Sequence, residues 1–137
     1  MNILQLGIKD WPYSSGKKEK KNRGGGTGKY CDVLFEALGD CDVNFFIITR
    51  KHQGQDSVEK KEKLTIYRYN TLPGRKIRHI SLAIITLFKV LRIIRKHKID
   101  IIHSHMFLSN VIAIFIGKIL KIPVLIVPHS AMYHKYL

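Results

Sequence analysis

The chain has 137 residues, of which 45% are hydrophobic and 25% charged, a composition typical of one soluble globular domain. Its formal net charge of +14 is extreme and indicates attraction to polyanions such as anionic lipid headgroups, phosphorylated substrates or nucleic acid. No apolar run reaches the roughly 18 residues that a membrane-spanning helix needs. Cys31 and Cys41 form neither a metal-binding spacing nor a disulfide framework, so we expect reduced thiols in a cytoplasmic protein.

The first half of the chain alternates apolar runs with polar connectors. Three strands are predicted, over residues 2–8, 43–49 and 64–69, the third of them nearer an edge of the sheet. Between the first two strands, an amphipathic helix is expected to begin behind Thr27 as its N-cap and to end near Gly39. The charged segment 50–63 is predicted to be a connector between the second and third strands.

The second half of the chain contains a long helix followed by a strand–helix–strand unit. In chain order, the predicted elements are a helix over residues 75–98, a strand over 99–105, a helix over 111–120 and a strand over 124–127. Two largely apolar strands joined by a helix are typical of parallel strands with a crossover connection. The whole chain therefore predicts an α/β fold, namely an open, mainly parallel, doubly wound (Rossmann-like) sheet with flanking helices.

A glycine-rich segment lies directly before the first predicted helix. Its residues Gly24, Gly25 and Gly26 precede Thr27, but the spacing matches neither the P-loop nor the dinucleotide-binding glycine motif. Glycines allow the backbone to approach a ligand closely, and the free amides at the start of a helix favour an anion. The segment is thus a candidate phosphate-binding loop, with a flexible loop that binds nothing as the alternative.

Three histidines lie near the edge of the predicted sheet where its parallel strands end, which is where such sheets bind ligands. His103 and His105 are two residues apart, so their side chains point to one face of a strand. We expect His103 to be buried and hydrogen-bonded, and His105, nearer the strand end, to be exposed to a cleft. His129 follows the last predicted strand and is the strongest functional candidate. The further ligands of a zinc site are not visible, so the sequence does not favour a metal.

Basic residues are concentrated in two parts of the chain. One is the run 17–23 before the glycines, and the other is the predicted helix 75–98, which carries basic positions beside a wide apolar face. Such residues most often form solvated surface, and the functional alternative is peripheral attachment to anionic lipid at the inner face of the membrane. Nucleic acid is the less favoured partner, because neither interleaved aromatic residues nor a helix-turn-helix pattern is present.

The order and spacing of these motifs resemble the N-terminal, acceptor-side domain of retaining glycosyltransferases of family 4, which have the two-domain GT-B fold. In that family a strand and a loop lead to a Gly-Gly pair and a helix with spaced leucines. Later strands end in Thr-Arg and in Asp-x-x-His-x-His, and a helix, a Pro, a strand and a His follow. The matching residues are Gly25, Gly26, Leu34, Leu38, Thr49, Arg50, Asp100, His103, His105, Pro123, Val124 and His129.

The resemblance implies a site as well as one half of a GT-B fold. Gly25 and Gly26, with Thr27 behind them, would lie near the acceptor and the donor phosphates. His105 would help to line the acceptor side, and His129 would lie in the interdomain cleft, close to the transferred sugar. Enzymes of this kind usually stabilise the leaving diphosphate without a metal, and no other cofactor is expected.

By the same resemblance, the activity is transfer of a sugar from a nucleotide-sugar donor to a glycan or lipid-linked acceptor. In such enzymes the C-terminal domain holds most of the donor. We therefore expect residues 1–137 to form one N-terminal Rossmann-like domain that lacks this donor-binding half and is inactive alone. The competing hypothesis is a non-catalytic basic module that docks on a membrane surface or on a partner enzyme.

Overall fold

A computed structural model describes residues 1–8, 11, 26–70 and 75–128, and in α1 and α2 the side chains from residues 27 and 84 onward. These residues form six strands and three helices. In chain order they are β1 (Asn2–Leu6), α1 (Gly26–Ala37), β2 (Asn44–Arg50), β3 (Val58–Lys61), β4 (Leu64–Tyr69), α2 (Arg75–Lys96), β5 (Ile101–Ser104), α3 (Phe107–Leu120) and β6 (Val124–Ile126).

The six strands form one sheet in the order β3-β4-β2-β1-β5-β6. All neighbouring strands are parallel except β3 and β4, which are antiparallel. From β1 the chain builds outward through β2 to β4, and α2 then carries it back across the sheet to β5 and β6. The strand order therefore reverses between β1 and β5, which is the topological switch point of a doubly wound sheet. The predicted fold class is confirmed.

Different helices cover the two faces of the sheet. On one face, α2 and α3 enclose the larger apolar core, whose buried residues are Leu4, Leu6, Phe46, Ile48, Val90, Ile93, Ile99, Ile102, Ala113 and Ile116. On the other face, α1 packs on the strands, with Phe35 lying over Ile3 and Phe45. The two sets alternate along each strand, because successive side chains point to opposite faces.

The two edges of the sheet differ in character. β3 is charged, and its Glu59 forms ion pairs with Lys61 at 3.1 Å and with the buried Arg68 of β4 at 2.5 Å. β6 is apolar throughout, yet Leu125 is 53% exposed and Ile126 is 37% exposed. The neighbouring α3 adds the exposed apolar side chains Phe107, Leu108, Val111, Ile114, Phe115, Ile119 and Leu120. A charged edge resists pairing with another chain, whereas an apolar edge favours it.

The structure differs from the sequence-based expectation at β3, which lies within the predicted connector 50–63. Its sequence Val-Glu-Lys-Lys contains a single apolar residue, because an antiparallel edge strand held by its neighbour need not bury a face. β4, predicted near an edge, is the second strand from that edge.

The predicted helices are present, with shifted ends. α1 begins at Gly26, so Thr27 lies inside its first turn and is not the N-cap predicted for it. α3 begins at Phe107 instead of Val111. The polar Asn110 interrupts the apolar pattern in the sequence, but in the structure it occupies the buried side of this helix. Within the described ranges, none of the helices is long and apolar enough to cross a membrane.

Candidate functional site

The carboxyl ends of β1 and β5 lie side by side at the switch point, where doubly wound sheets bind their ligands. Their pairing continues one step past β5, because the backbone amide of His105 donates a hydrogen bond to the carbonyl oxygen of Leu6 at 3.1 Å. The backbone of His105 is therefore fixed at the end of the ladder. The two segments that leave this edge begin at Gly7 and Met106.

A glutamine of β1 joins the two histidines at this edge. Gln5 is paired with His103 in the strand register, so both side chains point to the α1 face of the sheet. Oε1 of Gln5 lies 2.7 Å from Nε2 of His105, at hydrogen-bond distance. The ring centroids of His103 and His105 are 4.2 Å apart. The prediction that the two histidines share one face is confirmed.

Tyr30 of α1 covers both histidines. Its ring is edge-on to them, with centroid distances of 5.9 Å to His103 and 5.4 Å to His105. His103 is 3% exposed and His105 is 2% exposed. The burial predicted for His103 is confirmed. The exposure predicted for His105 is wrong, because a helix lies over the end of the strand.

We call the residues Gln5, Tyr30, His103 and His105 the carboxyl-edge cluster. Gln5 is fully buried, and its Nε2 atom has no hydrogen-bond partner among the described residues. A buried donor without a partner costs about 1–3 kcal/mol. Buried polar side chains packed together at the ligand-binding edge of a sheet are typical of functional sites.

Two further polar groups are buried close to the end of β5 in the sequence. They are Ser104, the last residue of β5, and Asn110, in the first turn of α3. Within the part of the chain that the structure describes, neither Oγ of Ser104 nor Oδ1 of Asn110 has a hydrogen-bond partner. Ser104 points away from the histidines, so the end of β5 carries polar side chains on both faces.

Gly7 brings the segment after β1 against the start of α3. Its φ of +85° lies in the left-handed region, which favours glycine. A Cβ atom at this position would lie 2.8 Å from the backbone nitrogen of Met106 and 3.2 Å from Oγ of Ser109. Both the positive φ and the lack of room for a Cβ atom therefore require glycine at this position. The backbone after β1 and the backbone before α3 are closely packed at the switch point.

Trp11 ties the segment after β1 to α1 and β2. Its Nε1 donates a hydrogen bond to Oδ1 of Asp32 at 2.6 Å, and its ring packs on Phe35 with centroids 4.9 Å apart. Its backbone nitrogen lies 3.4 Å from Oγ1 of Thr49, near the end of β2. Trp11 thus contacts the carboxyl end of β2 through its backbone and α1 through its side chain.

The sequence patterns do not single out Gln5, Tyr30 or Trp11 as site residues. The one feature of the sequence that could have identified Gln5 is its polar side chain between two leucines, in a strand whose other central residues are apolar. Tyr30 matches the apolar face of the amphipathic helix, so periodicity alone assigns it to the core.

Cys31 lies on the buried side of α1, where it packs with Ile8 and Ile47, and its thiol is unreactive. Burial, followed by the nearby negative charge of Asp32, raises the pKa of its thiol to about 12. A thiol that stays protonated at neutral pH is neither a nucleophile nor a good metal ligand. Among the described residues, no group of three His, Cys, Asp or Glu side chains is placed to hold a metal ion.

The structure covers part of the predicted site. Gly25 and His129 lie outside the described residues. Gly26 and Thr27 are the first two residues of α1, about one turn before Tyr30, so the start of this helix lies at the same edge as the two histidines. Free amides and the helix dipole at such a position favour an anion.

Comparisons with known proteins agree with this geometry. A family model described as Glycosyltransferase Family 4 matches residues 24–137, which confirms the resemblance indicated by the motifs. A sucrose-phosphate synthase from Thermosynechococcus elongatus matches in structure with a TM-score of 0.75 and 18% identity, over 98% of this chain and 34% of that one. A second structure of this synthase gives a TM-score of 0.63 and 15% identity, over 98% and 67% of the two chains. No curated protein matches the sequence.

These structural likenesses establish the fold. This chain spans about a third of the length of the first synthase chain.

Proposed function

We propose that this chain, which belongs to Glycosyltransferase Family 4, provides the acceptor-side half of an enzyme that transfers a sugar from a nucleotide-sugar donor to a glycan or lipid-linked acceptor. The observation that carries the proposal is the carboxyl-edge cluster at the switch point of the sheet. It combines buried imidazoles and an amide with the start of a helix. Hydrogen-bonding groups suited to sugar hydroxyls therefore lie near backbone amides suited to phosphates.

Each predicted site residue has a separate role in this proposal. Gly25, Gly26 and Thr27 offer backbone amides to phosphate oxygens at the start of α1, where the helix dipole stabilises negative charge. His105 helps to line the acceptor side from its buried place beneath Tyr30, and His129 acts next to the transferred sugar. Basic side chains and helix amides, with no metal ion or other cofactor, stabilise the leaving diphosphate.

The donor-binding half is a second Rossmann-like domain in this proposal. The carboxyl edge offers groups for an acceptor and for phosphates, whereas a nucleoside needs a pocket of its own. We therefore expect residues 1–137 alone to transfer no sugar. Transfer requires the second half, supplied in the same chain or by a partner.

Sugar transfer by the native protein tests the proposal. The protein purified from its own cells is incubated with radiolabelled nucleotide sugars and with glycans or lipid extracts as acceptors. His129→Gln should lower the rate at least roughly 100-fold, the effect of losing a group that acts in the transition state. His97→Gln is the matched control, because His97 follows α2 at the opposite edge of the sheet.

Three results would contradict the proposal. Absence of transfer by the native protein with every donor excludes the activity, and equal rates for the two variants exclude the role of His129. Labelled product formed by residues 1–137 alone excludes the division into two halves.

A second candidate function, docking on an anionic membrane surface, is favoured by the charge of α2. Its exposed positions include Arg92, Arg95 and Lys96, and neither α2 nor α3 contains an Asp or a Glu. Each basic residue near an anionic bilayer contributes about 1 kcal/mol of attraction. In this candidate the protein is cytoplasmic, binds peripherally to the inner face of the membrane and has no nucleic-acid partner.

Vesicle sedimentation separates this candidate from a merely solvated surface. The protein should sediment with phosphatidylglycerol vesicles and not with phosphatidylcholine vesicles, and high salt should release it. Arg92→Glu should weaken binding more than Lys29→Glu, which makes the same charge change at an exposed position of α1. Equal sedimentation with both lipids removes the candidate.

A further inference from the structure

Four apolar side chains form an exposed row along α3. Phe107, Val111, Phe115 and Ile119 follow one another at intervals of four residues, so they lie on one side of the helix. Each of them is between 51% and 75% exposed. The opposite side of α3 packs in the larger core. A surface helix normally turns polar residues outward, and a helix that is apolar on all sides is normally covered.

α2 adds a second exposed row. Ile84 and Phe88 are 51% and 67% exposed, and the row continues at the same interval with the exposed Arg92 and Lys96. α2 contacts α3, and the two helices share one core on the same face of the sheet. Both rows therefore point away from the sheet on the same side of the molecule. We call the two rows together the outer helical surface.

The charges around the outer helical surface have one sign. The exposed cations on the described side chains of α2, on α3 and at the C-cap of α3 are Arg92, Arg95, Lys96, Lys118 and Lys121. Of the ten acidic residues in the chain, all but Asp100 precede Lys63. The carboxylate of Asp100 accepts a hydrogen bond from the backbone amide of Asn2 at the start of β1. Neither helix thus has a carboxylate of its own to offset these cations.

A partner that fits this surface has to be apolar and anionic at once. A second copy of the chain would bring cations against cations, and like charges disfavour such an interface. An anionic bilayer offers acyl chains to the apolar side chains and lipid phosphates to the cations. Helices that bind bilayers in this way lie in the plane of the membrane surface, with the apolar side buried about 5–10 Å deep.

We propose that the outer helical surface enters the membrane: its apolar side chains insert between the lipids of an anionic bilayer, while the neighbouring cations bind the lipid phosphates. The inference rests on the membrane docking proposed above and deepens it, because α3 supplies an apolar contact in addition to the charge of α2. α1, which carries the exposed acidic residues Asp32 and Glu36, lies on the other face of the sheet and turns away from the bilayer.

Tryptophan fluorescence measures insertion at single positions of the native chain. The chain has one tryptophan, Trp11, which packs on Phe35 of α1. In a Trp11→Phe background, Phe115→Trp places the fluorophore in the exposed row of α3. Val33→Trp is the matched control on α1, because Val33 is 58% exposed and Phe115 is 59% exposed.

Phosphatidylglycerol vesicles with brominated acyl chains should quench the fluorescence of Phe115→Trp and shift its emission to the blue, and should leave Val33→Trp unchanged. If Trp11→Phe does not fold, the two variants are compared with Trp11 in place, since its emission is common to both. Protein that sediments with the vesicles without quenching of Phe115→Trp, or with equal quenching of both variants, overturns the inference but not the docking. Protein that does not sediment contradicts both.

A polar substitution measures how much the row contributes to binding. Phe115→Ser should lower the partition coefficient for phosphatidylglycerol vesicles by roughly 10-fold, because a ring that enters the headgroup region loses its apolar contact. Val33→Ser should leave the coefficient unchanged. Sedimentation velocity without lipid tests the alternative occupant, and a dimer that Phe115→Ser dissociates would overturn the inference in favour of a second copy.

Discussion

The two faces of the sheet are built from the same strands but bury different chemistry. The face under α2 and α3 buries a continuous set of aliphatic and aromatic side chains, with Ser104 and Asn110 as buried polar residues near the end of β5. The face under α1 buries, besides its apolar residues, the polar side chains Gln5, Thr49, Arg68, His103 and His105. A buried polar group costs free energy that apolar packing has to offset. The comparison therefore indicates that the α2–α3 face supplies most of the apolar core, whereas the α1 face buries more polar side chains, among them the candidate site.

The largest effect is expected when a side chain is removed from the α2–α3 core, which tests whether this face contributes most of the stability. Leu6→Ala should lower the free energy of unfolding by about 2–5 kcal/mol, because it leaves a cavity in the larger core. Urea unfolding followed by circular dichroism measures the loss. Leu120→Ala is the matched control, since Leu120 is 41% exposed and its truncation should cost much less. Equal losses would mean that this face is not the stabilising one.

Substitution of Gly7 tests the close packing of the segment after β1 against the start of α3 at the switch point. Gly7→Ala places a side chain at a positive φ and against the backbone of Met106, so the loss of stability should be about 2–4 kcal/mol. Gly54→Ala is a control for backbone strain, because Gly54 has a φ of +80° and nothing within 4 Å of the added carbon. Its loss should be about 1–2 kcal/mol. Losses of equal size would contradict the close packing at the switch point.

The α2–α3 face should also give the protein a pH dependence. The ring of His97 packs on that of Phe46, with centroids 4.2 Å apart. Its Nε2 atom lies 2.8 Å from the hydroxyl oxygen of Tyr67, at hydrogen-bond distance. Burial, then the charges of Lys96 and Lys60, lowers the pKa of His97. The unfolded chain therefore binds a proton before the folded one does as the pH falls.

This contribution to stability should be present above about pH 6.5, the ordinary value for histidine, and should be lost as the pH falls through the lower folded value. Urea unfolding at a series of pH values measures the slope. His97→Gln should flatten it in this range, and an unaltered slope in that variant would refute the assignment.

The smallest effect is expected in a chemical probe of the α1 face that leaves the fold intact. Cys31 is buried and the pKa of its thiol is raised to about 12, whereas Cys41 is exposed. A thiol reagent should modify Cys41 quickly and Cys31 only when α1 opens. Denaturant should make the two rates equal. Equal rates in the native protein would mean that α1 does not enclose the carboxyl-edge cluster.

Most of the fold could be predicted from the sequence, because its central strands are buried on both faces. β2 reads as an apolar run, and β4 shows the alternation of a strand near an edge. β3 could not be predicted, since Glu59, Lys60 and Lys61 lack any strand signal and pair only because β4 provides a partner. Local pattern thus identifies a strand only where burial selects its residues.

The candidate site was less predictable, since its contacts join distant parts of the chain. The spacing of His103 and His105 predicts their common face, a local property of one strand. The burial of His105 depends on Tyr30 in a different helix, and no local pattern contains that contact. The same holds for Gln5, whose partner is 100 residues away in the sequence. Topology brings these side chains together, and periodicity reports only on each element alone.

The strand order has a consequence for protein synthesis. β1 gains its neighbour β2 early, but β5 is completed about 50 residues later, which at 5–20 residues per second leaves roughly three to ten seconds. During that interval one side of β1 is a temporary edge, with unpaired backbone groups beside its leucines. The polar Gln5 on this edge disfavours pairing with a second nascent chain. Its bond to His105 forms only when β5 docks, so the candidate site is among the last parts of the molecule to assemble.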